Sequence, residues 1–167
     1  ILPGVGASGY AMEKVAPIAD VIKEQAAAGT PLLGICVGFQ LLFEQSREMG
    51  THRCLGLIGG TVVAIPTDLG LTIPHMGWNY VRIDPRMRLF AGLGAGRHFA
   101  FANSFYAQVE DAGAKTATTD YGVSKEAEAL ASGLAAYFAM DPPSVQSHQL
   151  EHHADGRTHS ITFQIDG

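Results

Sequence analysis

The sequence predicts an α/β fold with most of the chain in one domain. Three observations carry that reading: an amphipathic helical stretch from Met12 to Ala28, a short apolar run, "PLLGIC", directly after it, and later strand-like runs separated by Gly, Pro and Asp. Helix alternating with strand is the pattern of a sheet covered by helices. With 167 residues, 47% hydrophobic and 16% charged, the chain is long enough to bury one sizeable core.

Each element has its own justification. Met12, Val15, Ile18, Ala19, Ile22 and Ala26 recur at helical spacing and predict one buried face, with Gly29 as the stop signal. Pro17 removes a helical donor and predicts a kink. The run from Pro31 to Cys36 suits a strand buried on both faces, as in a parallel sheet. A second helix is expected from Phe39 to Glu48, burying Phe39, Leu42 and Phe43 and ending at Gly50. "GLIGGTVVAIP", "YVRID" and "HFAFANSFYAQV" predict hairpins or a mixed sheet edge. Residues 125–140, "KEAEALASGLAAYFAM", predict a helix that Asp141-Pro142-Pro143 stops. The remainder is polar and histidine-rich up to an alternating run, Ser160 to Ile165. We therefore expect an α/β domain over 1–140 and a divergent tail over 141–167 packed on it.

Composition narrows the function. Net charge is −5, and the eleven Lys and Arg are scattered, which argues against nucleic acid or an anionic membrane as the partner. No run approaches the roughly 18 apolar residues that cross a bilayer, and the first residues lack the basic flank of a signal peptide. A cytoplasmic location is expected, with Cys36 and Cys54 reduced. No cofactor or metal is expected.

Gly34-Ile35-Cys36-Val37-Gly38 carries the chemistry. It has the form Gly-x-nucleophile-x-Gly where a strand turns into a helix, a nucleophile elbow with Cys in place of Ser. Glycines two residues away on either side remove side chains that would collide with strand and helix. The sulfur then sits over a helix N-terminus that favours the thiolate, and the Val37 amide points where an oxyanion forms. The plainer alternative is a buried structural cysteine between two packing glycines. Pro3-Gly4-Val5-Gly6 is weak alone, but a flexible backbone beside Cys36 suits a second amide donor.

"LPGVGA", "GICVGFQLLFE", "CLGLIGG", "IPHMGWNYV" and "ATTDYG", in that order from Leu2 to Gly122, together resemble the glutamine amidotransferase subunit of imidazole glycerol phosphate synthase, a class I amidotransferase of histidine biosynthesis. The resemblance implies a flavodoxin-like mixed sheet flanked by helices. It also implies a glutaminase that passes ammonia to a (β/α)8 barrel cyclase partner. By resemblance Cys36 is the nucleophile, Val37 and Val5 are the oxyanion donors and Gly6 is the hinge. Gln40, Gly4 and Gly38 belong to the glutamine site, and His75, Met76 and Trp78 match the segment that faces the cyclase. Asn103-Ser104-Phe105-Tyr106 stands where the family has His-Ser-Tyr-Tyr near the glutamine. The chain begins at what would be the oxyanion strand, so the fold is expected to be incomplete at its N-terminus, with an edge for the tail to fill.

The family's closing His-Pro-Glu, which supplies the base and its orienting carboxylate, is absent. The nearest candidates are His148 and Glu151 in "VQSHQLE". Three residues apart, they fall on opposite faces of a regular strand, so a bulge or a helical turn is needed to pair them. His148-Gln149-Leu150-Glu151-His152 also matches H-x-x-E-H, a zinc pattern that needs a helix and a third ligand such as His153, Asp155 or His159. Its plainer alternative is a solvated histidine-rich tail. Cys54 with His52 invites the same metal reading. A third possibility is a degenerate amidotransferase scaffold that binds its partner without turnover.

Overall fold

The computed structural model describes residues 1–68, 70–110, 113–114, 117–121, 128–130, 135–137, 145–152 and 159–165, the segments after 121 as backbone only. Strand β1 (Leu2–Gly4) lies parallel to β2 (Leu32–Cys36), with Leu2 opposite Gly34 and Gly4 opposite Cys36. Between them run helices α1 (Ser8–Val15) and α2 (Ala19–Ala27), joined by a 3-10 turn, Ala16–Ile18, that contains Pro17. The kink expected at Pro17 is present, and it has a cost in pattern. A 3-10 turn advances three residues per turn instead of 3.6, which swings Ile18 out of phase and leaves it 53% exposed. Val15 and Ala26 are buried, while Met12, Ala19 and Ile22 pack against the core.

The chain then departs from expectation. The second helix is only Val37–Gln40 (α3), and the next residues form strand β3 (Phe43–Ser46). The reason is a competition for carbonyls. Those of Leu41, Leu42 and Phe43, which a helix would spend on residues four ahead, accept instead from the amides of Leu55, Leu57, Ile58 and Gly56. Phe39, Leu41, Leu42 and Phe43 are buried nearly in succession, a pattern no single helical face can produce. They form the main core with Val15, Val37, Leu55, Val62 and Ala107.

Strand β3 pairs with β4 (His52–Arg53) and with β5 (Ile58–Ala64), and β5 pairs with β8 (Phe105–Val109). A second four-stranded sheet has β6 (His75–Ile83) at its centre. It lies between β7 (Gly96–Asn103) and β9 (Ala117–Asp120), and β10 (Glu128–Leu130) extends it. Its own apolar cluster contains Val81, Ile83, Phe90, Phe101 and Ala117.

The tail differs from expectation as well. Within 125–140 the described segments are strands: β10 pairs antiparallel with β9, and β11 (Ala135–Tyr137) pairs antiparallel with the free edge of β2. Unpaired edges at β9 and β2 offer backbone partners that local helix propensity does not outweigh. Strand β2 is thus paired on both sides, yet only its Gly34 is fully buried, so the prediction of burial on both faces holds in part. Strands β12 (Val145–His152) and β13 (His159–Ile165) form an antiparallel pair. The Asp141-Pro142-Pro143 stop and the boundary expected between 140 and 141 lie outside the described residues.

His75 shows how β6 distributes its side chains. It is 4% exposed and stacks between Tyr121 (3.7 Å between ring centres) and Phe101 (4.5 Å). Its Nδ1 has no hydrogen-bond partner among the described residues, and burial holds the imidazole below its ordinary pKa of 6.5. The unfolded chain therefore takes up the proton more readily than the folded one, so stability rises with pH through this range and is lost as pH falls below about 6.5. We expect His75→Phe to flatten the acid limb of a melting temperature profile between pH 7.5 and 5.5. A slope identical to wild type contradicts the assignment.

Candidate active site

The sequence turns sharply at Cys36. Its backbone sits at φ 55°, ψ −120°, a conformation that costs a non-glycine residue energy and clusters at functional sites. The strain is tolerated because the neighbours are glycines. A Cβ on Gly38 would fall on the Leu2 carbonyl oxygen, and one on Gly34 would come within 2.6 Å of the Phe39 Cα. The side chain of Cys36 is exposed, at the C-terminal end of β2 and the N-terminus of α3. Among the described residues no side chain hydrogen-bonds its sulfur, and Val37 behind it is buried.

Register brings the second glycine motif to the same place. Gly4 is the partner of Cys36 across β1 and β2, so Val5 and Gly6 leave β1 beside the elbow. Gly6 takes φ 85°, the left-handed region that glycine adopts without penalty, and the Val5 side chain is 86% exposed. Gly4, Val5, Gly6, Cys36, Val37 and Gly38 are therefore brought together as the sequence predicts. The arrangement presents an exposed thiol between the backbone that leaves β1 and the N-terminus of α3, which suits attack on a carbonyl and stabilisation of the resulting oxyanion by backbone amides.

Gln40 is placed otherwise. One turn after Cys36, it is 7% exposed and its Oε1 lies 3.5 Å from the Ser8 hydroxyl, so it is neither solvated nor aimed out beside the thiol. Asn103 is buried at the end of β7 and donates through Nδ2 to the Phe105 carbonyl (3.1 Å), while its Oδ1 has no partner among the described residues. Ser104 accepts the Ile65 amide on its carbonyl, and Phe105 packs on the core beneath the elbow. These three bond within their own corner.

The segment expected to face a partner is a strand. Alternation along β6 puts Met76 (66% exposed), Trp78 (76%) and Tyr80 (44%) on one face and His75 on the other, in the core. His75 is thus buried, away from the exposed face, and Tyr80 shares that face with Met76 and Trp78. Parity along "HMGWNYVRI" groups Met76, Trp78 and Tyr80, but because those are the apolar members, the pattern alone would place them in the core and His75 outside.

His148 and Glu151 occupy β12, whose register with β13 runs without interruption from Ser147 to His152. With no bulge between them, positions 148 and 151 fall on opposite faces of the strand, which does not favour Glu151 as the orienter of His148. The zinc reading fails on the same backbone. Positions 148 and 152 of a strand are roughly 13 Å apart, not one helical turn. His153 and Asp155 lie outside the described residues. Cys54 is buried, donates weakly to the His52 carbonyl (3.6 Å), and has its thiol pushed up to about 11 by burial. No group of three metal-ligating side chains occurs among the described residues, and no helix there is long and apolar enough to cross a membrane.

The packing at the elbow makes a direct prediction. Gly38→Ala is expected to lower stability by about 1–3 kcal/mol, because β1 must retreat from α3. An unchanged urea midpoint contradicts the close approach.

Comparison with known proteins places this geometry. Residues 1–139 match the family model described as glutamine amidotransferase class-I. The chain is similar to imidazole glycerol phosphate synthase subunit HisH of Lacticaseibacillus casei, 51% identical over 73% of this chain and 59% of that protein. It is also similar to the subunits of the same name from Pyrococcus furiosus, 44% identical over 72% and 61%, and Aquifex aeolicus, 42% identical over 73% and 59%. The matches thus span about three fifths of the length of these relatives. The extent of the family match, together with a strained cysteine at a glycine-flanked strand-to-helix turn, shows that this chain belongs to the class I glutamine amidotransferases.

Proposed function

We propose that this chain is a glutaminase subunit that hydrolyses glutamine at Cys36 and delivers the ammonia to a cyclase partner in histidine biosynthesis. The observation that carries the proposal is the φ 55° elbow, which leaves the thiol exposed beside Val5 and Gly6. In this reading the Cys36 thiolate attacks the side-chain amide carbon of glutamine. The carbonyl becomes a tetrahedral oxyanion held by the amides of Val37 and Val5. Collapse breaks the C–N bond, the nitrogen takes a proton and leaves as ammonia, and the glutamyl thioester is cleared by water to glutamate and free thiol. Gly4 and Gly38 allow the close backbone approach, and Gln40 supports the site from below. Asn103, Ser104 and Phe105 are assigned to the rim of the glutamine site on family resemblance. His148 is the proposed base, on the "VQxH" resemblance, acting without Glu151.

The apolar stripe of Met76, Trp78 and Tyr80 supports a partner surface, since exposed aromatics on a rigid strand are typical anchors. The proposed partner is a (β/α)8 barrel cyclase, with no cofactor and a cytoplasmic location. The opposite faces of 148 and 151 favour one second reading, a scaffold that binds the cyclase without turnover.

With the cyclase present, Cys36→Ala is expected to abolish glutamine-dependent ammonia release. His148→Ala should lower it about a hundredfold, and Glu151→Gln should change it less than about twofold. Wild-type protein that binds the cyclase yet releases no ammonia selects the scaffold reading. Trp78→Ala is expected to weaken cyclase binding about tenfold or more by titration calorimetry, and unchanged affinity removes β6 from the interface.

A further inference from the structure

A cluster of polar side chains is buried just behind the elbow, and catalysis as described gives most of it no task. Ser8 and Ser46 are fully buried and Gln40 nearly so. Ser8 links the other two, and the charged partner of Ser8 is Glu48. Its Oε2 accepts from the Ser8 amide (2.6 Å) and from the Ser8 hydroxyl (2.7 Å), both in the short range of charge-assisted bonds. The Ser46 hydroxyl donates to that of Ser8 (3.1 Å) and accepts from the Glu48 amide (3.2 Å), which closes the cluster on itself. Glu48 and Ser8 are forty residues apart in sequence, so this is a tertiary contact and not a local turn.

The location gives the cluster its meaning. Ser8 is the first residue of α1, and the preceding cap, Ala7, has no side chain to accept the unpaired amides of the first turn. Glu48 supplies that acceptor from outside the helix, with a charge that suits a helix N-terminus. Strand β4, which follows soon after Glu48, covers the next residue: a Cβ on Gly9 would lie 2.7 Å from the His52 ring. Only Val5, Gly6 and Ala7 separate Ser8 from Gly4, and Gly4 is pinned beside Cys36 by its strand register. The loop that carries the second oxyanion donor is therefore a three-residue bridge with both ends held, one by β2 and the other by Glu48.

We propose that Glu48 is a positioning residue: by fixing Ser8 it holds the Val5 amide aimed at the oxyanion of the Cys36 reaction. This rests on the glutaminase reading of Cys36. Glu48 acts through Ser8 and the loop, and it takes no part in bond making.

The experiment uses wild type, Glu48→Ala, Glu48→Gln and Ser8→Ala, with two readouts. The first is hydrogen exchange across residues 2–12, which needs no turnover. The second is the rate of Cys36 alkylation by a chloroketone analogue of glutamine, divided by its rate with iodoacetamide. The ketone passes through a tetrahedral oxyanion, whereas iodoacetamide is displaced at a saturated carbon and forms none. Glu48→Ala is expected to speed exchange at Ser8 and the first turn of α1 and to lower the rate ratio about tenfold, a fraction of the loss seen when an oxyanion donor is removed outright. Ser8→Ala, a smaller change that serves if Glu48→Ala does not fold, should lower the ratio a few-fold. Glu48→Gln keeps an oxygen acceptor and should restore most of the ratio. Unchanged exchange in Glu48→Ala, or an unchanged ratio, overturns the proposal. So does a rise in glutamine KM at constant kcat with the cyclase present, since that marks a substrate contact. Wild type that reacts with the chloroketone no faster than with iodoacetamide overturns the glutaminase reading instead, while the exchange data still decide whether Glu48 holds the loop.

Discussion

The close approach of β1 to the elbow is the constraint on which the site depends. The Leu2 carbonyl occupies the space a Cβ on Gly38 would need, and the Phe39 backbone occupies that of Gly34. Two strands and a four-residue helix thus meet at a point where only hydrogen atoms fit between them. That contact keeps Cys36 in a backbone conformation it would not hold alone, because relaxing its dihedrals would drive α3 into β1. Burial of Val37, Phe39, Leu41, Leu42 and Phe43 in one core supplies the restoring force.

A polar layer complements this apolar one. At the start of α1 the chain places Gln40, Ser8 and Ser46, all buried, and the half-buried Glu48, each engaged with another. A buried polar network tolerates little rearrangement, because any member that moves leaves a partner unsatisfied in a low-dielectric interior. The elbow is thus rigid from two sides for different reasons: close packing on the β1 side, hydrogen-bond satisfaction on the α1 side.

What could be read in advance follows the range of the forces involved. The elbow was legible because its sterics are contained in five consecutive residues, Gly34 to Gly38. The Pro17 kink was legible for the same reason. The second helix was misjudged because its fate depends on amides at 55–58 that claim the carbonyls of 41–43. Glu48 passed unnoticed because its partner is forty residues away. The segments in 125–140 follow free strand edges at β9 and β2, which no local propensity encodes. The burial of His75 is not legible because the apolar residues that alternate with it, Met76, Trp78 and Tyr80, mark their own face as the buried one.

That alternation has an evolutionary corollary. Strand β6 keeps the stacked imidazole on one side and the Met-x-Trp-x-Tyr stripe on the other purely by parity. Point changes along it can be absorbed one at a time. A single inserted or deleted codon between His75 and Val81 would turn every residue on one side of it to the opposite face, setting the buried imidazole and the buried Val81 at odds. Drift in this segment should therefore proceed by substitution, with length held constant.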